Sequence, residues 1–520
     1  MVPKIKCYLI IIGCFQVIFS GTSKQGEAYE YFLKGEYEIL QNNFRQAEKH
    51  YTKALSLSPD SPTILRSLVD LKSYQGEYED AIQYLEKILE LEPDNKDSGL
   101  DLYQLHVQVG NLIKAERVLD TLLIHFPGDQ DILFARANTQ YSEQDWSNLL
   151  KTYQSIYVGE PTQTNILIKI YEIGIATGNI ELVQEILWEL KVISDDLVIL
   201  EILIEISSTT GEYPEAIELT QELIEKYGST DDLNISLSEL HLRAEHFEEV
   251  IAILQPIYET GNYSIDILRM LLIVYSTLGR VEEEINISQT LLNEYPDLSI
   301  GYEALSFAYL QSGFNEKAIE ILLRALPKFP DEVNFPYTLA TIFNNSGDFR
   351  KAEKYYHDSL AIQPDLVSVK HALAIMYEDM QDITRSDSLF LHMIQQDEND
   401  AVGHNDYAYI LSEREQSSVD DLNFALELAK NANSIEPDNA AFLDTIGWIY
   451  FKLGTYGKAQ EFLEKSLSIN DNNPVILEHL GDIYLKLNKS KKAVNIYEKV
   501  LQIDSDNQLI KNKINKINER

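Results

Sequence analysis

Leu, Ile and Tyr recur at helical spacing among Glu and Lys along nearly the whole chain, a pattern that predicts helices and no strand. Two segments stand apart from it. From Cys7 to Phe19 the chain is an apolar run of thirteen residues, with Gln16 as its one strongly polar member. From about Asn507 to Arg520 a short amphipathic helix is expected, carrying Leu509, Ile510, Ile514 and Ile517 on an otherwise polar segment. Its polar outer side suits a cap, so the helical array is expected to be complete there.

Turn residues divide the helical stretch at a fixed interval. Pro59, Pro93, Pro127 and Pro161 are spaced 34 residues apart, and so are Pro296, Pro330 and Pro364. Gly76 and Gly110, and later Gly279, Gly313 and Gly347, keep the same beat, as do Ala47, Ala81 and Ala115 and then Ala425, Ala459 and Ala493. Each position has a mechanical reason in a two-helix unit. Glycine takes the left-handed backbone that ends the first helix. Alanine lets the second helix approach closely, a large residue such as Tyr51, Leu85, Leu322 or Tyr356 fills the remaining gap, and proline, lacking an amide hydrogen, stops the second helix.

A 34-residue helix-turn-helix with these landmarks resembles the tetratricopeptide repeat. The resemblance implies an all-α fold, an α-solenoid wound as a right-handed superhelix of about fourteen repeats. They begin near residues 28, 62, 96, 130, 164, 197, 231, 265, 299, 333, 367, 401, 440 and 474, giving N-terminal repeats over 28–264, C-terminal repeats over 265–506 and a cap over 507–520. The repeats near 164, 197 and 231 lack the closing proline, and Val183 and Val250 stand where alanine is usual. The repeat at 401 has five extra residues around Glu413 to Asp421, which predicts a longer hairpin turn.

The apolar run at the N-terminus follows Lys4 and Lys6 and precedes Ser20, Gly21, Thr22 and Ser23. Basic, apolar and small segments in that order read as a secretory signal over 1–23, and the run is short for a spanning helix of about 20 residues. Cleavage after Ser20 and after Ser23 both fit. An uncleaved signal anchor is one alternative; the other is a lipobox, Ile11-Ile12-Gly13-Cys14, with Cys14 lipidated. The expected location is the periplasm or outer envelope, with membrane attachment only through this segment.

Apolar residues make up 45% of the chain and charged ones 24%, with no linker composition anywhere, so order is expected nearly end to end. The formal charge of -40 excludes nucleic acid as a partner and leaves two readings, solubility of a long molecule and preference for basic partners. Lysines dominate after residue 486, read either as a solvated cationic last helix or as a basic docking tail. The two cysteines, Cys7 and Cys14, both lie in the leader, so the body has no thiol for a disulfide, a metal or a nucleophile.

Catalytic chemistry has little to stand on. His241 and His246 lie five residues apart, a spacing that separates them on a helix, and His371, His392 and His404 fall on different helices. No nucleophile elbow, phosphate loop or dinucleotide fingerprint occurs. The acidic runs Glu282-Glu283-Glu284 and Asp397-Glu398-Asn399-Asp400 lack the spacing of a calcium loop and read as solvated helix faces and turns. No enzyme, cofactor or metal site is expected.

The resemblance further implies that first helices line a concave face that binds peptides or partner helices. The basic, asparagine-rich clamp of chaperone-tail binders is not matched by Phe32, Glu36, Arg66 and Asp70. In the late repeats, positions i, i+4 and i+7 of the first helices put Phe307, Tyr337, Asn344, Tyr409, Asp444, Trp448 and Phe451 on one stripe, a surface suited to apolar or basic peptides. The alternative is that the rings pack against neighbouring first helices. The function expected is a non-catalytic scaffold or adaptor in the cell envelope; the rivals are an assembly or specificity subunit of a biogenesis, secretion or pilus machine, and a structural spacer.

Overall fold

The computed structural model describes residues 24–518, and all regular structure within them is α-helical: fourteen helix hairpins followed by one further helix. First helices begin at Lys24, Pro62, Lys96, Gln130, Thr164, Leu197, Asp231, Ile265, Ser299, Asn334, Val367, Ala401, Ala440 and Pro474, within one residue of the expected starts except for the first, which begins four residues before 28. The leader and its Cys14 lie outside the described residues. Two compact units divide between Leu254 and Gln255, within the helix Phe247–Glu259, whereas the repeat register places a boundary at 264/265.

The hairpin turn follows from backbone chemistry. Gly76 has φ 76°, and the amide of Glu77 behind it donates to the Lys72 carbonyl at 2.9 Å, closing the end of the first helix. Asn42, Gln144, Glu245, Gln381 and Asn488 hold the same left-handed position without being glycine. At the other end of the hairpin, Ser58, Glu92 and Phe126 leave the helical backbone ahead of proline, with ψ of 78°, 76° and 66°. Asp397, Asn470 and Asp504 leave it similarly, with ψ of 98°, 92° and 89° and no proline behind them, so proline reinforces a break that the hairpin imposes.

Within the unit ending at Leu254, Ala47, Ala81 and Ala115 are completely buried against Tyr51, Leu85 and Leu119. Val183 and Val250 are equally buried at the alanine position, so the repeats without proline keep their register. Small residues on the first helix complement large ones on the second: a Cβ at Gly35 would collide with the Tyr51 ring. In the unit that starts at Gln255, Gly481 and Tyr497 make the same pair, and Ala318, Ala352, Ala425, Ala459 and Ala493 are buried. Each fully buried large side chain contributes about 1.5–3 kcal/mol, which accounts for a fold held by packing alone.

Two details differ from the sequence reading. The insertion in the repeat at 401 goes partly into the turn, residues 414–418, and partly into a second helix of 17 residues, Val419–Ile435. That helix starts with a reciprocal cap: the Asp421 amide donates to Ser418 Oγ at 3.1 Å and the Ser418 amide donates to Asp421 Oδ2 at 2.8 Å. The last helix, Gln508–Asn518, buries Ile510 and packs Ile514 and Ile517, but Leu509 is exposed. Its Lys513 is not simply solvated, since Nζ donates to Glu478 Oε1 and to both Asp482 oxygens at 2.8 Å.

Candidate partner-binding face

Two regions of the C-terminal unit carry the candidate residues. The first lies on the helices Ile265–Thr277, Ser299–Gln311 and Asn334–Asn345, which surround a cavity of about 550 Å³. Its walls are mainly apolar, among them Leu272, Ile273, Ile300, Leu310 and Phe335, and Phe307 stands at it with 53% of its surface exposed. Glu303 lines it as well; burial and then the nearby Glu332 push its carboxyl above the ordinary range.

Behind the first helices, Glu284 reaches the same cavity from the helix Val281–Glu294. This corrects the reading of Glu282-Glu283-Glu284 as a solvated run. Glu282 and Glu283 are exposed, but Glu284 falls on the inner side of its helix and is only 1% exposed. Its Oε2 has no hydrogen-bond partner, and burial raises its carboxyl pKa against the opposing effect of a hydrogen bond from the Ser276 side chain. The signal was present in the chain: residues 250, 284 and 318 are one repeat apart, so Glu284 stands at the small-residue position between Val250 and Ala318.

The other expected residues in these helices are less open. Tyr337 is half-buried, its ring centroid 6.2 Å from that of Tyr356, and Asn344 is half-buried with Oδ1 unpartnered.

The second region is on the helices Ala401–Glu413, Ala440–Lys452 and Pro474–Lys486. Trp448 is half-buried and stacks on Phe451 at 4.8 Å and on His479 at 4.0 Å, with interplanar angles of 10° and 16°. Its Nε1 donates to Glu413 Oε1 at 2.5 Å, and Lys452 Nζ lies 2.9 Å from the same oxygen. Burial acts to raise the Glu413 carboxyl, but the bonds from Trp448 and Lys452 hold it below its ordinary range. Asp444, read as part of an open stripe, is 7% exposed and lies 2.9 and 3.1 Å from His479 Nδ1. Tyr409 is 38% exposed, and burial, then Glu413 and Asp444, push its hydroxyl pKa up. His479 is a member that the stripe reasoning missed.

The histidine reading also changes. His241 Nδ1 is 3.3 Å from His246 Nδ1, because their helix ends at Arg243 and the turn brings His246 back. His371 and His404 meet at Asp400: His371 Nε2 is 3.2 Å from Oδ2, and His404 Nδ1 is 2.8 Å from the backbone carbonyl. Among the described residues no group of three or more His, Cys, Asp or Glu is arranged to hold a metal ion. Among them, too, no helix is long and apolar enough to cross a membrane.

Residues 74–138 and 450–517 match one family described as tetratricopeptide repeat, and residues 32–96 match a second with the same description. No curated protein matches the chain. Among solved structures it is similar to a tetratricopeptide repeat protein from Parabacteroides merdae, with 15% identity over 49% of this chain and 98% of that one, at a TM-score of 0.41. It is also similar to yeast Tom70, with 14% identity over 94% of both chains and a TM-score of 0.39. The Cut9–Hcn1 hetero-tetramer of the APC/C gives 15% identity over 98% of both chains and a TM-score of 0.38. The chain therefore carries tetratricopeptide repeats over the matched segments, and the rest of the described residues share their hairpin period.

Proposed function

We propose that this chain is a non-catalytic interaction scaffold of the cell envelope, exported through residues 1–23, that holds apolar or basic segments of partner proteins on the first helices of its C-terminal unit. Tetratricopeptide repeats are protein-interaction scaffolds, and the finer reading rests chiefly on one observation. Exposed aromatic surface at Phe307 and Tyr409 stands beside carboxylates, Glu303 and Glu413, on a chain of net charge -40. Aromatic rings gain from burial against a partner, and the acids select against anionic ones.

Crosslinking and affinity capture from the native host test it. The parent chain is expected to retain a defined protein, and the double substitution Phe307→Ala, Tyr409→Ala to lose it with an unchanged melting curve. Capture indifferent to both rings sinks the reading, and capture of nothing by the parent makes the chain a spacer. For export, a chain lacking residues 1–23 is expected to stay in the cytoplasm; Cys14→Ser changes partitioning only if that cysteine is lipidated.

A further inference from the structure

One position of every second helix lies at the closest approach of the hairpin. Thirteen of the fourteen hairpins fill it with Ala, Val, Leu or Ser, as at Ala318, Val250, Leu149 and Ser386, all of them completely buried. The hairpin starting at Ile265 puts Glu284 there. A carboxylate that served only the fold would be expected to meet a cation or a set of donors, as Asp444 meets His479. Glu284 has only the Ser276 side chain as a donor and its Oε2 meets none, although the side chain is buried and lines an open cavity.

The chemistry of that cavity selects its occupant. Its lining is mostly aliphatic and aromatic, its two ionisable groups are Glu284 and Glu303, and no Lys, Arg or His lines it. At about 550 Å³ it falls in the ~300–1,000 Å³ range of small-ligand sites and can admit a side chain with part of its flanking segment. An anion would be repelled, and a purely apolar group would leave Glu284 Oε2 unpartnered. A long cationic side chain satisfies both the walls and the carboxylates, because its methylene stem is apolar and its head is charged.

We propose that this cavity receives a lysine or arginine side chain presented by an apolar segment of a partner protein, with Glu284 as its buried counter-ion, Glu303 as a second carboxylate and Phe307 against the stem. This inference rests on the partner-binding reading of the face and assigns it a specificity site. Burial pushes both carboxyls toward their neutral forms, and an arriving cation returns them to the charged form.

Anisotropy of a labelled leucine-rich octapeptide with one central lysine, titrated with the full chain, tests the site. The lysine peptide is expected to bind about tenfold tighter than the same peptide carrying Nε-acetyl-lysine. Glu284→Gln, and Glu284→Ala as the residue other hairpins carry, are expected to abolish that preference with no fall in melting temperature. Phe307→Ala is expected to weaken both peptides. Equal affinity for the two peptides, a preference that survives both Glu284 substitutions, or no binding of either peptide overturns the site. None of these outcomes touches the reading of the face, which fails instead if capture of the native partner ignores Phe307 and Tyr409.

Discussion

The cavity beside Phe307 and the cluster around Trp448 lie on first helices of the same unit and draw on the same residue types, yet they treat charge in opposite ways. Around Trp448 each acid has a partner: Glu413 meets Trp448 and Lys452, and Asp444 meets His479. At the cavity, Glu284 is more deeply buried than either and one of its oxygens has no partner. A paired buried charge is part of the local structure, and removing one member leaves the other uncompensated. An unpaired one detracts from stability and has its best use in meeting something from outside. The Trp448 cluster therefore reads as internal bracing, and the Phe307 cavity as the open site.

That contrast can be broken at four points. Trp448→Ala removes two ring stacks and a hydrogen bond, and is expected to destabilise the chain by about 3 kcal/mol, read as a lower urea midpoint. Asp444→Asn takes the charge from His479 in a buried pair and should cost about 1–3 kcal/mol by the same measurement. If both variants are as stable as the parent, the bracing reading fails.

Glu284→Gln is expected to act in the opposite direction, raising stability by about 1 kcal/mol at neutral pH. The sign follows from its raised pKa: in the unfolded chain the group loses its proton first. Stability is therefore lost as pH rises from the ordinary glutamate range, near 4.5, through the folded value. The advantage of glutamine should grow over that window and vanish below it in melts from pH 4 to 8; an advantage independent of pH would mean that the carboxyl is not the source. The smallest effect is expected for Phe307→Ala, within about 0.5 kcal/mol because the ring is largely exposed, while partner capture falls.

Much of this was legible in the chain. Gly76, Pro93 and Ala81 mark turn, helix end and close approach by properties that each residue carries locally, so their repetition located the hairpins even where the interval falls to 33 or rises to 39 residues. The candidate stripe was legible only as a helical face. Register placed Phe307, Tyr409, Asp444 and Trp448 on first helices, but it could not tell exposed Phe307 from buried Asp444, because the covering groups come from the next hairpin. His241 and His246 were misread for a related reason: the spacing rule assumed one continuous helix, and the turn after Arg243 changes their separation.

By itself, then, the sequence determined the hairpin period, the helical class and the repeat that departs by an insertion, since turns, caps and small-residue contacts depend on neighbours a few positions away. Tertiary structure alone decided which carboxylates lose water and which find partners. Glu283 and Glu284 are adjacent and chemically identical, and one is exposed while the other is buried. The difference arises because burial is set by groups brought in from other helices: Leu272 and Leu322 line the cavity with Glu284, and the one hydrogen bond from Ser276 does not offset the lost water.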